Sequence, residues 1–219
     1  MKGVCMKLSI LGSPGSGKGT QAQKIAKHYN LKHIVMGNII KREIWDNTEL
    51  GKVMYEYTKD GKFVPNDIII RVLDKELQNL ENYNGFIIDT APINMEQKIL
   101  MADIALDAVI SMDIHNYDIV RERTMSRLIC TSCMAVSSNK DAHGDKCDIC
   151  GGKLEPRYDD NIVVVDARIE QFKRETIPVL GEFEKEEKLI RVNAEKSRDA
   201  VFEEIVTKLD NFFGKTTLN

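Results

Sequence analysis

Residues 9–20 read Ser-Ile-Leu-Gly-Ser-Pro-Gly-Ser-Gly-Lys-Gly-Thr, set between an apolar run and an amphipathic one. Few local patterns restrict a fold as strongly. Gly12, Gly15, Gly17 and Gly19 let backbone N–H groups turn inward around an anion. The helix that follows presents its positive N-terminus to the same anion. Lys18 supplies a point charge for phosphate oxygens, and a nearby hydroxyl can ligate Mg²⁺. The pattern G-x-x-x-x-G-K-[ST] is met from Gly12 to Lys18 but fails at Gly19, with the hydroxyl one place late at Thr20. A merely flexible glycine turn is the alternative, and both flanks speak against it. Val4, Met6, Leu8, Ile10 and Leu11 are nearly continuous, which suits a buried parallel strand. Ala22, Ile25, Ala26 and Tyr29 fall on one helical stripe, with Lys24, Lys27 and His28 toward water.

The rest of the chain alternates in the same rhythm. Strands are expected over 4–11, 32–36, 85–89, 107–112 and 188–193. Helices are expected near 18–29, 38–60 with a break at Thr48, 66–80, 94–105, 116–125, 162–186 and 197–213. In the last of these, Val201, Phe202, Ile205, Val206, Leu209 and Phe213 share one face, as a core stripe does. Such alternation predicts an α/β fold, a five-stranded parallel sheet flanked by helices. A length of 219 residues can bury a sizeable core with insertions. The net charge of −3 offers no electrostatic footprint for nucleic acid. No apolar run approaches the length of about 20 that spans a bilayer. A strand entered by residue 4 leaves no room for a signal peptide, so a cytoplasmic protein with reduced thiols is expected.

One segment, 128–160, loses the helical period. It carries Cys130-Thr-Ser-Cys133 and Cys147-Asp-Ile-Cys150, separated by 13 residues. Two such knuckles allow four thiolates to converge tetrahedrally on Zn²⁺, and a site filled by protein ligands alone is structural. Two disulfides or a redox pair are the alternatives, the first disfavoured in a reducing compartment and the second not expected twice. A stretch this poor in apolar residues needs the metal to fold. Cys5 is expected to be a small buried core residue. Arg123, Arg127, Arg157 and Arg168 border the segment, and guanidinium forks of this kind bind phosphates bidentately. The competing reading is a solvated surface of weak ion pairs, favoured for Arg121.

Taken in order, these tracts resemble the adenylate kinases. The run from Gly12 to Gln21, with its displaced Gly-Thr ending, looks like their phosphate loop. Gly61-Lys-Phe-Val-Pro-Asn-Asp67 and Asn84-Gly-Phe-Ile-Ile-Asp89 are similar to their acceptor-domain turn and third core strand. The arginine-flanked cysteines, with Arg157-Tyr-Asp-Asp-Asn161 and Arg168, resemble the zinc-bearing long lid. The resemblance covers nearly the whole chain. It implies a P-loop NTPase fold with the core in 1–35, 65–125 and 162–219, a nucleoside-monophosphate-binding part at 36–64 and a zinc lid at 126–161.

The implied reaction is a reversible phosphoryl transfer from Mg·ATP, or another NTP, to AMP or another NMP. The donor would be held by Gly15, Ser16, Gly17, Lys18, Gly19, Thr20, Arg123, Arg127 and Lys196, with main-chain groups near 193–196 reading its base. Asp89 would organise Mg²⁺ through water. Arg127, Arg157 and Arg168 would clamp phosphates as the lid closes, and Asp159 and Asp160 would latch the lid. Met36, Lys41, Val64, Thr90, Ile93 and Gln97, with Arg157 and Arg168, would form the acceptor site. Zn²⁺ and Mg²⁺ are the implied cofactors; monomer and homo-oligomer, a trimer included, both remain open.

The acceptor tract departs from the family's pattern. Thr90-Ala-Pro-Ile93 stands where a Gly-Phe-Pro-Arg tract is usual, so Ile93 replaces an arginine that grips the acceptor phosphate. Met36 replaces a base-contacting hydroxyl, Asn38 a magnesium-shell carboxylate and Lys41 an arginine fork. Arg42 or Arg71 could compensate, or be ordinary helix-surface charges. Without a dedicated polar contact a site rejects analogues poorly, so selectivity is expected to relax. A kinase preferring another NMP (CMP, UMP or a dNMP) and a non-catalytic nucleotide-binding regulator are the alternatives.

Overall fold

Parallel pairing is what the near-continuous apolar strands require, because each is buried on both faces. The structure, a computed structural model, describes residues 5–59, 64–133, 135–138, 144–156 and 160–216. Its main sheet holds β1 (Met6–Gly12), β2 (Lys32–Val35), β3 (Gly85–Asp89), β4 (Ala108–Asp113) and β8 (Leu189–Asn193), in the order β2-β3-β1-β4-β8. Every pair in it is parallel, with Ile10 and Val35 both in register with Asp89. The carboxyl ends of all five strands therefore share one edge, where open α/β sheets bind ligands.

Helices cover both faces. On one side α1 (Lys18–Tyr29) and α9 (Arg198–Thr216) pack Ala22, Ile25, Val201, Ile205 and Leu209 against Leu8, Ile10 and Ile110. On the other, α2 (Met36–Trp45), α3 (Glu49–Thr58), α4 (Asn66–Leu77) and α8 (Ile177–Lys185) enclose Met36, Met54, Val72, Leu73, Ile88 and Val179. Thr48 ends the α2–α3 break as an N-cap, its hydroxyl accepting from Gly51 N–H at 2.9 Å. Gly51 admits the close approach of the two helices: a Cβ there would lie 1.9 Å from the Glu43 carbonyl oxygen.

Three expectations need correcting. The helix expected over 94–105 is shorter: α5 (Met95–Leu100) gives way to a 3₁₀ turn, Ala102–Ile104, ended by Ala105 in the left-handed region. The long helix near 162–186 is α7 (Ile162–Gln171), a π segment at Phe172–Thr176, and then α8. Cys5 is exposed and not a core residue, because the ladder begins one residue later at Met6. The helix α6 (Tyr117–Met125) leads into the cysteine segment, whose described residues form an antiparallel sheet, β6-β5-β7. Its strands are β5 (Arg127–Cys130), β6 (Val136–Ser138) and β7 (Leu154–Pro156).

Candidate active site

The β1–α1 turn is shaped to bind an anion before any ligand arrives. Gly15 has φ +70°, and a Cβ on it would lie 2.7 Å from Thr124 Oγ1 and 2.8 Å from the Val120 carbonyl oxygen. Only glycine lets α6 press this closely on the loop. Helix α1 has no side-chain cap and no acidic residue of its own in its first turn, so its N–H groups are left for an anion. Lys18 Nζ donates to the Gly12 and Ser13 carbonyl oxygens, each at 2.9 Å. Burial lowers this ammonium to about 8; Asp89 works against the shift and Arg127 with it.

Beside this turn opens a cleft of about 1500 Å³. It is lined by Gly15, Ser16, Gly17, Lys18, Gly19 and Thr20, then by Asp89, Arg123, Arg127, Arg168 and Lys196. Met36, Lys41, Val64, Thr90, Ile93 and Gln97 line it as well. The structure thus brings together the expected nucleotide-site residues that it describes, while Asp160 does not line the cleft; Arg157 and Asp159 lie outside the described residues. Arg123 donates to the Ala194 carbonyl oxygen at 2.7 Å, beside the 193–196 turn expected to read the donor base. Lys196 pairs with Glu204 at 2.8 Å. Arg121 pairs with Asp118 and Asp166, the surface role favoured for it.

Arg127 and Arg168 meet at one buried carboxylate. Asp160 accepts from Arg127 Nε at 2.6 Å and pairs with Arg168 at 3.6 Å. This joins the cysteine segment to α7. Within that segment the Sγ atoms of Cys130, Cys133, Cys147 and Cys150 all lie within 4.8 Å of one another. Cys130 and Cys150 are 3.5 Å apart, Cys133 and Cys147 3.7 Å. Four thiolates about 2.3 Å from a tetrahedral Zn²⁺ would lie about 3.8 Å apart, so the cluster fits that ion. The N–H groups of Cys133 and Ser132 point at Cys130 Sγ and hold its thiol down at about 6. Among the described residues the apolar support is slight: Leu128 and Leu154 are the buried apolar side chains beside Cys130 and Cys147.

Around the acceptor half the hydrogen bonds are mostly internal. Gln97 is buried; its Oε1 accepts from Ile93 N–H and its Nε2 donates to Asn66 Oδ1, both at 2.9 Å. Asn66 in turn donates to Glu96 at 2.6 Å. A backbone donor at one end and a carboxylate at the other fix the direction of the chain. The Ile93 carbonyl accepts from Thr176 Oγ1 of the π segment at 2.9 Å. Arg42 pairs with Glu76, and neither Arg42 nor Arg71 lines the cleft.

Several cleft residues escaped the sequence reading: His33, Asn66, Glu96, Gln171 and Glu175. A polar side chain in the buried, largely apolar β1 marks one position next to the site, Ser9, which does not itself line the cleft. Ser9 is buried and donates to the Ala91 carbonyl oxygen at 2.5 Å. His33 lies 3.8 Å from Asp89 with its Nε2 buried and unpartnered. The others contact the site through helices distant in sequence and leave no local mark.

A glycine-rich helix N-terminus and the arginines gathered at Asp160 thus open on one cleft. The adenylate kinase family model matches residues 10–188. An adenylate kinase of Alkaliphilus oremlandii is 35% identical over 213 residues, covering 93% of this chain and 98% of that protein. Adenylate kinases of Chlamydia felis and Methanosarcina barkeri are 36% and 33% identical over 207 and 216 residues. Those matches cover 92% and 94% of this chain, and 96% and 100% of the relatives. Loop, sheet order and full-length similarity agree, and the chain belongs to the adenylate kinase family.

Proposed function

We propose that the protein transfers the terminal phosphoryl group of Mg·ATP to AMP through an acceptor site that reads its base loosely and therefore takes other monophosphates. The observation that carries this is the single cleft, which the phosphate loop, the lid arginines and the acceptor residues all line. A cleft of about 1500 Å³ exceeds the 300–1,000 Å³ or so of a one-ligand pocket and leaves room for two nucleotides side by side.

The chemistry needs no protein nucleophile. An oxygen of the acceptor phosphate attacks the γ-phosphorus in line, the new P–O bond forms, the β–γ bridge breaks, and ADP leaves with the bridging oxygen. Lys18 and the α1 N–H groups hold the donor phosphates, and Arg127 and Arg168 neutralise charge on the group in flight. Mg²⁺ would be held through the Asp89 carboxylate and the Thr20 hydroxyl, and supplies further charge neutralisation when bound. In this reading 36–64 is the acceptor-binding part and 126–161 the lid, set on a core of the remaining residues. Zn²⁺ on the four thiolates keeps the lid folded, and the closed lid excludes water that would otherwise take the phosphoryl group.

Loose base reading rests on Gln97 and Met36. The Gln97 amide is already engaged by Ile93 and Asn66, and Met36 is an adaptable apolar neighbour. Shape then selects more than hydrogen bonding, which separates analogues by only about 10–200-fold. A panel of NTP and NMP pairs tests the proposal. ATP with AMP should give ADP, and CMP, UMP or dAMP should follow within about 100-fold in kcat/KM. No diphosphate from any pair would overturn the kinase reading; a preference for another monophosphate by several orders of magnitude would move the acceptor to that class.

A further inference from the structure

Thr90 holds a backbone that its side chain type avoids. It has φ +73°, in the left-handed region, and it is β-branched. The segment around it is pinned from several sides. Thr90 N–H donates to the Ile10 carbonyl at 3.2 Å, Ser9 to Ala91 at 2.5 Å, Ile93 N–H to Gln97 and Thr176 to Ile93. Glycine would take the same backbone without strain. What threonine adds is a hydroxyl, and that hydroxyl donates to Asp89 Oδ1 at 2.9 Å.

The consequence falls on the carboxylate. The terminal torsion of an aspartate is soft and roughly two-fold, so an unheld carboxylate samples many orientations. Here Oδ1 is held by Thr90, while Oδ2 faces the phosphate loop: a Cβ on Gly19 would lie 3.2 Å from it. His33 Nε2, at 3.8 Å from Oδ2, is too distant to hold it. One oxygen is fixed and the other is presented to the site where donor phosphates bind. We propose that Thr90 is a positioning residue that orients Asp89 toward the Mg²⁺ of the donor nucleotide, and that it is not an acceptor contact. The inference rests on the proposed Mg²⁺-dependent transfer.

Thr90→Val keeps the branch and removes the hydroxyl, Thr90→Gly removes both, and Thr90→Ser keeps the hydroxyl. Loss of an outer-shell partner typically weakens a metal site about 10–100-fold. Val and Gly variants should therefore need about tenfold more free Mg²⁺ for half-maximal rate, with the acceptor KM unchanged, and Ser should restore the wild-type requirement. Calorimetry gives a readout independent of turnover: the gain in ADP affinity on adding Mg²⁺ should shrink in Val and Gly and persist in Ser. An unaltered Mg²⁺ requirement and an unaltered Mg²⁺-dependent gain in Thr90→Val would overturn the proposal. So would a raised acceptor KM with both Mg²⁺ readouts at wild-type values, which would make Thr90 an acceptor contact. If the wild type transferred no phosphoryl group, the calorimetric comparison would still decide the role of Thr90 apart from the failed kinase reading.

Discussion

Ile93→Arg tests whether the acceptor phosphate lies where the cleft places it. Ile93 is half-buried and lines the cleft, while its N–H and carbonyl are tied to Gln97 and Thr176. Those ties use backbone atoms only, so the substitution keeps the direction of the side chain. A guanidinium meeting a phosphate forms two charge-assisted bonds of about 1.5–3 kcal/mol each. Ordering the long side chain takes back about 1.5–2 kcal/mol. A net gain of about 1–4.5 kcal/mol corresponds to a roughly 5- to 1,500-fold lower acceptor KM, at about 1.4 kcal/mol per tenfold. Loss of a half-buried isoleucine costs the fold about 1 kcal/mol, or about 2–4 °C in Tm. Ile93→Gln offers one bond to the charged phosphate, about 1.5–3 kcal/mol against a similar ordering cost, and should gain less, up to roughly 12-fold. Steady-state KM for AMP at saturating Mg·ATP, with Tm from calorimetry, measures both effects. Folded Arg and Gln variants with KM within twofold of wild type would refute the placement of Ile93 against the acceptor phosphate.

Three further outcomes follow from the geometry. Chelation of the metal should unfold the lid and leave the core intact, because two buried leucines contribute about 3–6 kcal/mol against an ordering cost of about 1–2 kcal/mol per residue. Hydrogen exchange should then lose protection across 127–156 but not in β1, β3 or β4; equal protection with and without metal contradicts the zinc reading. Lys18, lowered by burial to about 8, is charged in the free enzyme below that pH and loses its proton above it. Bound phosphates demand the proton back, so donor affinity should be flat below pH 8 and fall up to about tenfold per unit above it. Lys18→Arg should move that break to higher pH, and an unchanged profile would assign the titration elsewhere. Gly51→Ala forces a Cβ into the Glu43 carbonyl and should cost about 2–4 kcal/mol, with a raised acceptor KM because α2 carries Met36 and Lys41. Unchanged Tm and KM would show that α2 and α3 separate freely.

The strand–turn–helix around Gly12–Thr20 was legible because it is local. Residues 12–20 contain the glycines, the lysine and the helix start that shape this turn, and the periodicity on either side identifies the strand and helix that hold it. The cysteine cluster was legible for a related reason: two spaced pairs constrain the geometry of four sulfurs, and the observed separations agree. Helix ends were less so, since the 3₁₀ turn after Leu100 and the π segment at Phe172–Thr176 continue the same apolar spacing with a different hydrogen-bond step.

The acceptor half was legible only as a set of departures. Sequence showed that Ile93 is not arginine and that Gln97 is still glutamine. It could not show that Gln97 is already bonded to Ile93 and, across 31 positions, to Asn66, or that Thr176 reaches 83 positions back to the same loop. Nor could it show that Arg42 is held by Glu76. A residue type states which hydrogen bonds are possible; only the fold states which are already made. That difference bears on function at Thr90. Read as a letter, it is a substitution in an acceptor tract. In the structure its hydroxyl donates to Asp89, the carboxylate beside the β1–α1 turn. If Thr90 has the positioning role proposed above, a change in the acceptor tract acts on the donor side of the site, which is why Mg²⁺ dependence and acceptor KM must be measured together in every variant of this loop.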